Sequence, residues 1–252
     1  MSSEKKIIIE VCAGSYEDCL AAQKGGASRV ELNSALSVGG LSPSVATLRN
    51  VKNDTDLKVI CMVRPRAGGF CYSDLEARIM LDEAKDLLEA GADGIAFGFL
   101  NPDGTVHLEL TKAMADLIHS YPEREAVFHR AIDVTPDLLV ALEQLKELGI
   151  DRVLTSGNQA KALQGCDLIR QMNEAADGKI EILPGSGVNA SNAKTILEQT
   201  GVHQLHSSCK AYKTDPTTKR GGVSYAYLDG EHEMDYDVVS EELVTKLVET
   251  VR

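Results

Sequence analysis

The chain reads as a single (β/α)8 TIM-type barrel, of the α/β class, and two regularities predict it. Eight short runs rich in Val, Ile, Leu or Phe recur with starts 21 to 35 residues apart, which leaves room for one helix between neighbours, as a right-handed parallel crossover requires. The chain has 252 residues, and such a barrel takes about 250 residues as one unit. All eight strand ends of a barrel open on one face, so side chains more than a hundred residues apart converge there.

The strands are predicted at residues 7 to 12, 28 to 33, 58 to 64, 93 to 99, 125 to 131, 152 to 156, 180 to 184 and 203 to 208. Helix starts are marked by Ser15 with Asp18 and by Ser73 with Glu76, which read as capping boxes. Ser42-Pro43 and Thr135-Pro136 read as a cap followed by proline at the first helical position. Gly25, Gly26, Gly91, Gly149, Gly178 and Gly201 lie between a helical pattern and the next strand, where a left-handed residue closes a helix. Helix, glycine, small or polar residue, strand is a phrase that recurs at Lys24 to Ser28, Ala90 to Asp93 and Leu148 to Asp151.

Residues 209 to 236 break the rhythm. These 28 residues, with Asp215-Pro216, Gly221-Gly222 and Asp229-Gly230, precede a final helix expected from about Val238. A segment of that length reads as a substrate lid or as an arm packed on a neighbouring subunit. The expected organisation is one domain over residues 1 to 252 carrying this arm.

Composition narrows the function. Apolar residues make up 43% and charged residues 25%, an ordinary globular balance. Acidic side chains outnumber basic ones, 38 to 26, so the surface field repels nucleic acid and anionic membrane and leaves a small ligand or a protein as the expected partner. No apolar run is long enough to span a membrane, and the N-terminus lacks a signal-peptide core, so a cytoplasmic location is expected. Cys12, Cys19, Cys61, Cys71, Cys166 and Cys209 are scattered without a CxxC pair, and are expected as free thiols.

Strand alternation places Ile8, Glu10 and Cys12 on one face, with Ile7, Ile9 and Val11 under the helices. The same parity turns Glu31, Asn33, Met62 and Arg64 inward. Two buried carboxylates need an adjacent cation, and Arg64 is the expected partner of Glu10 and Glu31. The cluster reads either as an ion network closing the barrel mouth or as a general acid and base. His129 and Asp133, in one loop, read as an orienting pair or as packing and a turn fastener.

The rim carries hydroxyls and glycine amides at Thr155 and Ser156, Gly185, Ser186 and Gly187, and Ser207 and Ser208. With a helix start at Asn189 to Asn192, they read as an anion cradle of the kind barrels place after strands seven and eight, or as a tight turn. Cys12 is the candidate metal ligand, with Met62, Cys71 and Cys209 as possible sulfur helpers, a set favouring Cu(I). No nucleotide-cofactor motif is present.

Particular phrases carry a family likeness. Glu10-Val11-Cys12, Gly25 to Leu32, Gly39 to Ser44, Val63 to Arg66, Tyr72-Ser73-Asp74, Gly91 to Gly94, Phe128 to Ala131, Arg152 to Gly157 and Pro184 to Gly187 together resemble the CutC family of copper homeostasis proteins, in register from about Ile9 to Cys209. The resemblance implies a TIM-type barrel, a cytoplasmic location, a homodimer or larger homo-oligomer, and Cu(I) held by cysteine thiolates. It implies two such cysteines, one at Cys12 and one at the end of the second strand, where this chain has Asn33. Ser186 stands where relatives commonly have glycine.

Three functional classes follow. The first is copper handling. The second is a barrel isomerase, epimerase or lyase acting on a small anionic metabolite through Glu10, Glu31, Arg64, His129 and Asp133. The third is an oligomeric scaffold.

Overall fold

Strand and helix alternate along residues 6–252, which the computed structural model describes. The barrel strands are β1 (Ile8–Ala13), β2 (Arg29–Leu32), β3 (Lys58–Met62), β4 (Gly94–Phe97), β5 (Glu125–Phe128), β6 (Arg152–Thr155), β7 (Glu181–Pro184) and β8 (Gln204–Ser207). The helices between them are α1 (Tyr16–Lys24), α2 (Val45–Asp54), α3 (Asp74–Glu89), α4 (Leu108–His119), α5 (Leu138–Glu147), α6 (Cys166–Ala176) and α7 (Ala193–Thr200). Parallel ladders run without interruption from β8 through β1 to β7, and β7 returns to the side of β8 to close the barrel. At that seam Gln204 Nε2 donates to Glu181 Oε2 over 3.0 Å.

The outward faces of the strands form the main core. Val11, Val30, Val59, Cys61 and Ile95 are fully buried under the helices, each worth roughly 1.5–3 kcal/mol of transfer free energy. The inner face is different. A small apolar group of Ile60, Met62, Ala96 and Val127 fills part of the lumen, and β4 supplies only small inward residues. A β-carbon on Gly94 would meet Ile60 Cδ1 at 2.9 Å, and one on Gly98 would meet His129 Cε1 at 2.6 Å. Those glycines make room for the larger side chains of β3 and β5.

Below this group polar side chains follow one another around most of the barrel. Lys58 pairs with Glu125, Glu125 with Arg152 at 2.9 Å and Arg152 with Glu181 at 2.8 Å. Gln204 joins Glu181 to Arg29, whose Nη2 donates to Gln204 Oε1 over 2.6 Å, and Arg29 Nε donates to Glu10. Every charge in this floor has an opposite neighbour, the condition for burying ions without a large penalty.

Several local expectations are corrected. Ser73 and Glu76 form the full capping box of α3, but only half of the Ser15 box forms. Asp18 instead accepts from Gly14 N and Val239 N at 2.9 and 2.8 Å. The cap of α2 is Ser44 rather than Ser42, whose hydroxyl donates to Glu83. The cap of α5 is Asp137 rather than Thr135, whose hydroxyl donates to Ile132 O. Of the predicted helix-closing glycines, Gly25 keeps a negative φ of −71°, while the other five take positive φ.

The segment after β8 is a ribbon. β9 (Lys210–Thr214) pairs antiparallel with β12 (Asp235–Val239), and the two-residue strands β10 (Lys219–Arg220) and β11 (Val223–Ser224) lie between them. The final helix, α8 (Glu241–Val251), therefore starts at Glu241 rather than Val238, because residues up to Val239 are held in a ladder and Ser240 caps the helix through Leu243 N. Both ends of the ribbon are tied to this chain's own barrel, since Val239 N reaches Asp18 and Ser240 N donates to Cys209 O.

Candidate functional site

Register builds the site. Parallel pairing sets Cys12 beside Glu31 and Glu10 beside His206, so alternation brings Cys12, Glu31 and His206 to the C-terminal mouth, one step above Glu10. One donor atom from each of these three lies within 4.8 Å of the others. Beneath them Glu10 Oε1 accepts from His206 Nδ1 over 2.7 Å. That bond occupies one ring nitrogen and leaves Nε2 for the cluster.

The charges follow from this packing. Burial alone would raise the Glu10 pKa, but Arg29 and then the hydrogen bond from His206 hold it well below the usual carboxylate range. His206 is shifted the opposite way: burial lowers its pKa, and the bonds to Cys12 and Glu10 overcome that and raise it. Desolvation pushes both the Cys12 thiol and the Glu31 carboxyl up, His206 partly offsetting each. The Cys12 thiol donates weakly to Glu31 Oε2 over 3.8 Å.

Asn33 supports the cluster rather than completing it. Its amide nitrogen donates to the carbonyl and carboxylate of Glu31, both at 3.1 Å, and to Cys12 Sγ at 3.6 Å. Its oxygen is buried without a donor and sits where a β-carbon on Gly40 would be, 2.3 Å away.

A cavity of about 350 Å³ opens over these residues. Cys12, Glu31, Met62, Arg64, His129, Ser186, Gly187 and Ser208 all line it, as parity and the rim pattern predict. His206 and Phe70 line it too, and neither was expected from the sequence. His206 was recoverable, because it lies two residues from Gln204 on β8 and alternation turns both to one face.

Other predicted residues lie elsewhere or have other partners. Arg64 is not the partner of the glutamates. Its guanidinium donates to the carbonyls of Val38, Gly40 and Gly68 at 3.0, 2.9 and 2.6 Å, and Arg29 pairs with Glu10 instead because register sets the two side by side. His129 and Asp133 do not pair either. His129 Nδ1 accepts from Ala131 N, while Asp133 accepts from Thr155 Oγ1, Ser156 N and Oγ, and Arg130 Nε.

The Thr155 and Ser156 hydroxyls are thereby committed to fastening two loops. Ser186 Oγ donates to Ala160 O and Ser207 Oγ to Val188 O, and Gly185 packs on Leu154 and His206. α7 begins at Ala193, later than the Asn189 to Asn192 start expected for the cradle. Cys71 is exposed, and Cys209 is buried with its thiol toward Ser207 Oγ, so neither joins the Cys12 cluster.

The CutC family model matches residues 7–211. The chain belongs to the CutC family. A protein named as a CutC family protein from Treponema denticola is 50% identical over 221 residues, covering 88% of this chain and 89% of that protein. A human protein named copper homeostasis protein cutC homolog is 41% identical over 204 residues, 81% of this chain and 74% of its own length. The crystal structure of a CutC protein from Streptococcus agalactiae superposes with a TM-score of 0.74 at 33% identity, covering 80% of this chain and 98% of the other. Among the described residues no helix is long and apolar enough to cross a membrane.

Proposed function

We propose that this chain is a cytoplasmic copper-handling protein that binds Cu(I) at the barrel mouth through Cys12 Sγ and His206 Nε2, the metal displacing to solvent the protons that their raised pKa values keep on them in the free protein. The observation that carries this reading is the convergence of Cys12, His206 and Glu31 within 4.8 Å, with Glu10 fixing the far nitrogen of the imidazole. Thiolate is the soft ligand Cu(I) favours, and imidazole also suits copper. A carboxylate behind a ligating histidine orients the ring and strengthens it as a donor. The human relative's name points the same way, and the free state of all six cysteines fits a reducing compartment.

His206 takes the place that the resemblance gives to a second cysteine. Asn33 offers only its amide nitrogen toward Cys12, which has no lone pair for a metal. Glu31 is a hard oxygen donor and acts here as acceptor for the Cys12 proton, and Met62 brings a thioether to the same cavity. Both proposed ligands come from one chain, so the site forms whether or not the protein self-associates.

Anaerobic titration of the metal-free protein with Cu(I) against a competing chelator tests the reading, with metal counted per chain. One tightly held copper per chain is the expected result. Zn(II) accepts the same Cys, His and Glu trio, so tight Zn(II) binding with Cu(I) lost to the chelator contradicts it.

A further inference from the structure

Among the described residues Arg64 is a buried cation without a countercharge. It is 6% exposed, and its acceptors among the described residues are three backbone carbonyls. Carbonyls satisfy N–H groups but do not neutralise the charge, and Nε–H has no acceptor among the described residues. A buried ion in that state costs several kcal/mol, a cost that an anion beside it offsets.

His129 presents a second unpaired donor next to it. Ala131 N donates to Nδ1 over 3.1 Å, which leaves Nδ1 as the acceptor nitrogen. Burial first, and the Arg64 charge second, bring the ring pKa down to about 3. The neutral ring therefore carries its proton on Nε2, and Nε2 has no partner among the described residues. Phe70 covers both groups: its ring centre lies 4.9 Å from that of His129 and 5.4 Å from the Arg64 guanidinium carbon. All three residues line the mouth cavity.

We propose that this cavity takes a small organic carboxylate, seated on Arg64 Nε–H and His129 Nε2–H after rotation of the Phe70 ring. One uncompensated positive charge matches a monoanionic group. Arg130, the other arginine lining the cavity, is already paired with Asp133 at 2.8 Å, so a phosphate dianion finds too little positive charge. The volume of about 350 Å³ is at the lower end for ligand pockets and suits a metabolite of a few heavy atoms. Neither Arg64 nor His129 is one of the copper ligands proposed above, so the two sites stand or fall separately.

Isothermal titration of the metal-free protein with the monoanions acetate, pyruvate and lactate, and separately with inorganic phosphate, tests the proposal. At least one carboxylate is expected to bind saturably at one per chain and more tightly than phosphate. His129→Asn keeps an oxygen to accept from Ala131 N–H but loses the Nε2 donor, and should weaken that carboxylate about tenfold or more. In the wild type, imidazole 15N NMR during the same titration should shift the His129 Nε2 signal, an observation that does not depend on the variant folding. Absence of saturable binding by all three carboxylates, tighter binding of phosphate, or an unmoved Nε2 signal overturns the proposal.

Discussion

Cys12→Ala is expected to abolish stoichiometric Cu(I) binding. Cys12 supplies the sulfur of the cluster it forms with His206 and Glu31, and without it the remaining nitrogen and oxygen donors suit harder ions. The loss should exceed the roughly 10–100-fold that removal of an outer partner of a metal ligand brings. His206→Asn is the sharper companion. Its amide nitrogen can still donate to Glu10 as Nδ1 does, but the second ligand is gone, and affinity should fall by about a hundredfold or more. Chelator competition on the two variants reads both effects. Full affinity in His206→Asn would remove the imidazole from the account and return attention to Met62 as the second donor.

Arg29→Met is expected to destabilise the fold by about 3 kcal/mol, the lower part of the range for breaking a buried ion pair. Arg29 is 2% exposed and donates to both Glu10 and Gln204. Without it the Glu10 oxygen Oε2 loses its cation, although His206 remains on Oε1. Urea unfolding should show a lower midpoint with an unchanged slope. A change under about 1 kcal/mol would mean that the polar floor stabilises no more than a surface pair. Glu10→Gln combined with Arg29→Met should recover part of the loss, because no ionised carboxylate is then left without its cation.

Much of this architecture is legible in the residues. The strand spacing and the glycines between helix and strand give the barrel, and strand parity alone turns Cys12, Glu31, Arg64 and His129 into one cavity. Parity does not rank two inward arginines, however. Arg29 and Arg64 both face in, and only the register that sets Arg29 beside Glu10 decides which one meets the carboxylate. The same limit explains the missed His206: the two serines that follow it draw the reading of that strand end, and its partner Glu10 lies 196 residues away. The late caps at Ser44 and Asp137 have a local cause, since Ser42 and Thr135 spend their hydroxyls on Glu83 and on Ile132 O. The last helix is shortened by a ladder with β9 that no pattern around Val238 reveals.

The most direct test of the copper site is X-ray absorption spectroscopy at the copper edge on protein loaded with one Cu(I) per chain. One sulfur and one imidazole nitrogen in the first coordination sphere is the predicted result, with the nitrogen lost in His206→Asn. Two or more sulfurs with no nitrogen, or oxygen and nitrogen alone, would contradict the Cys12 and His206 site.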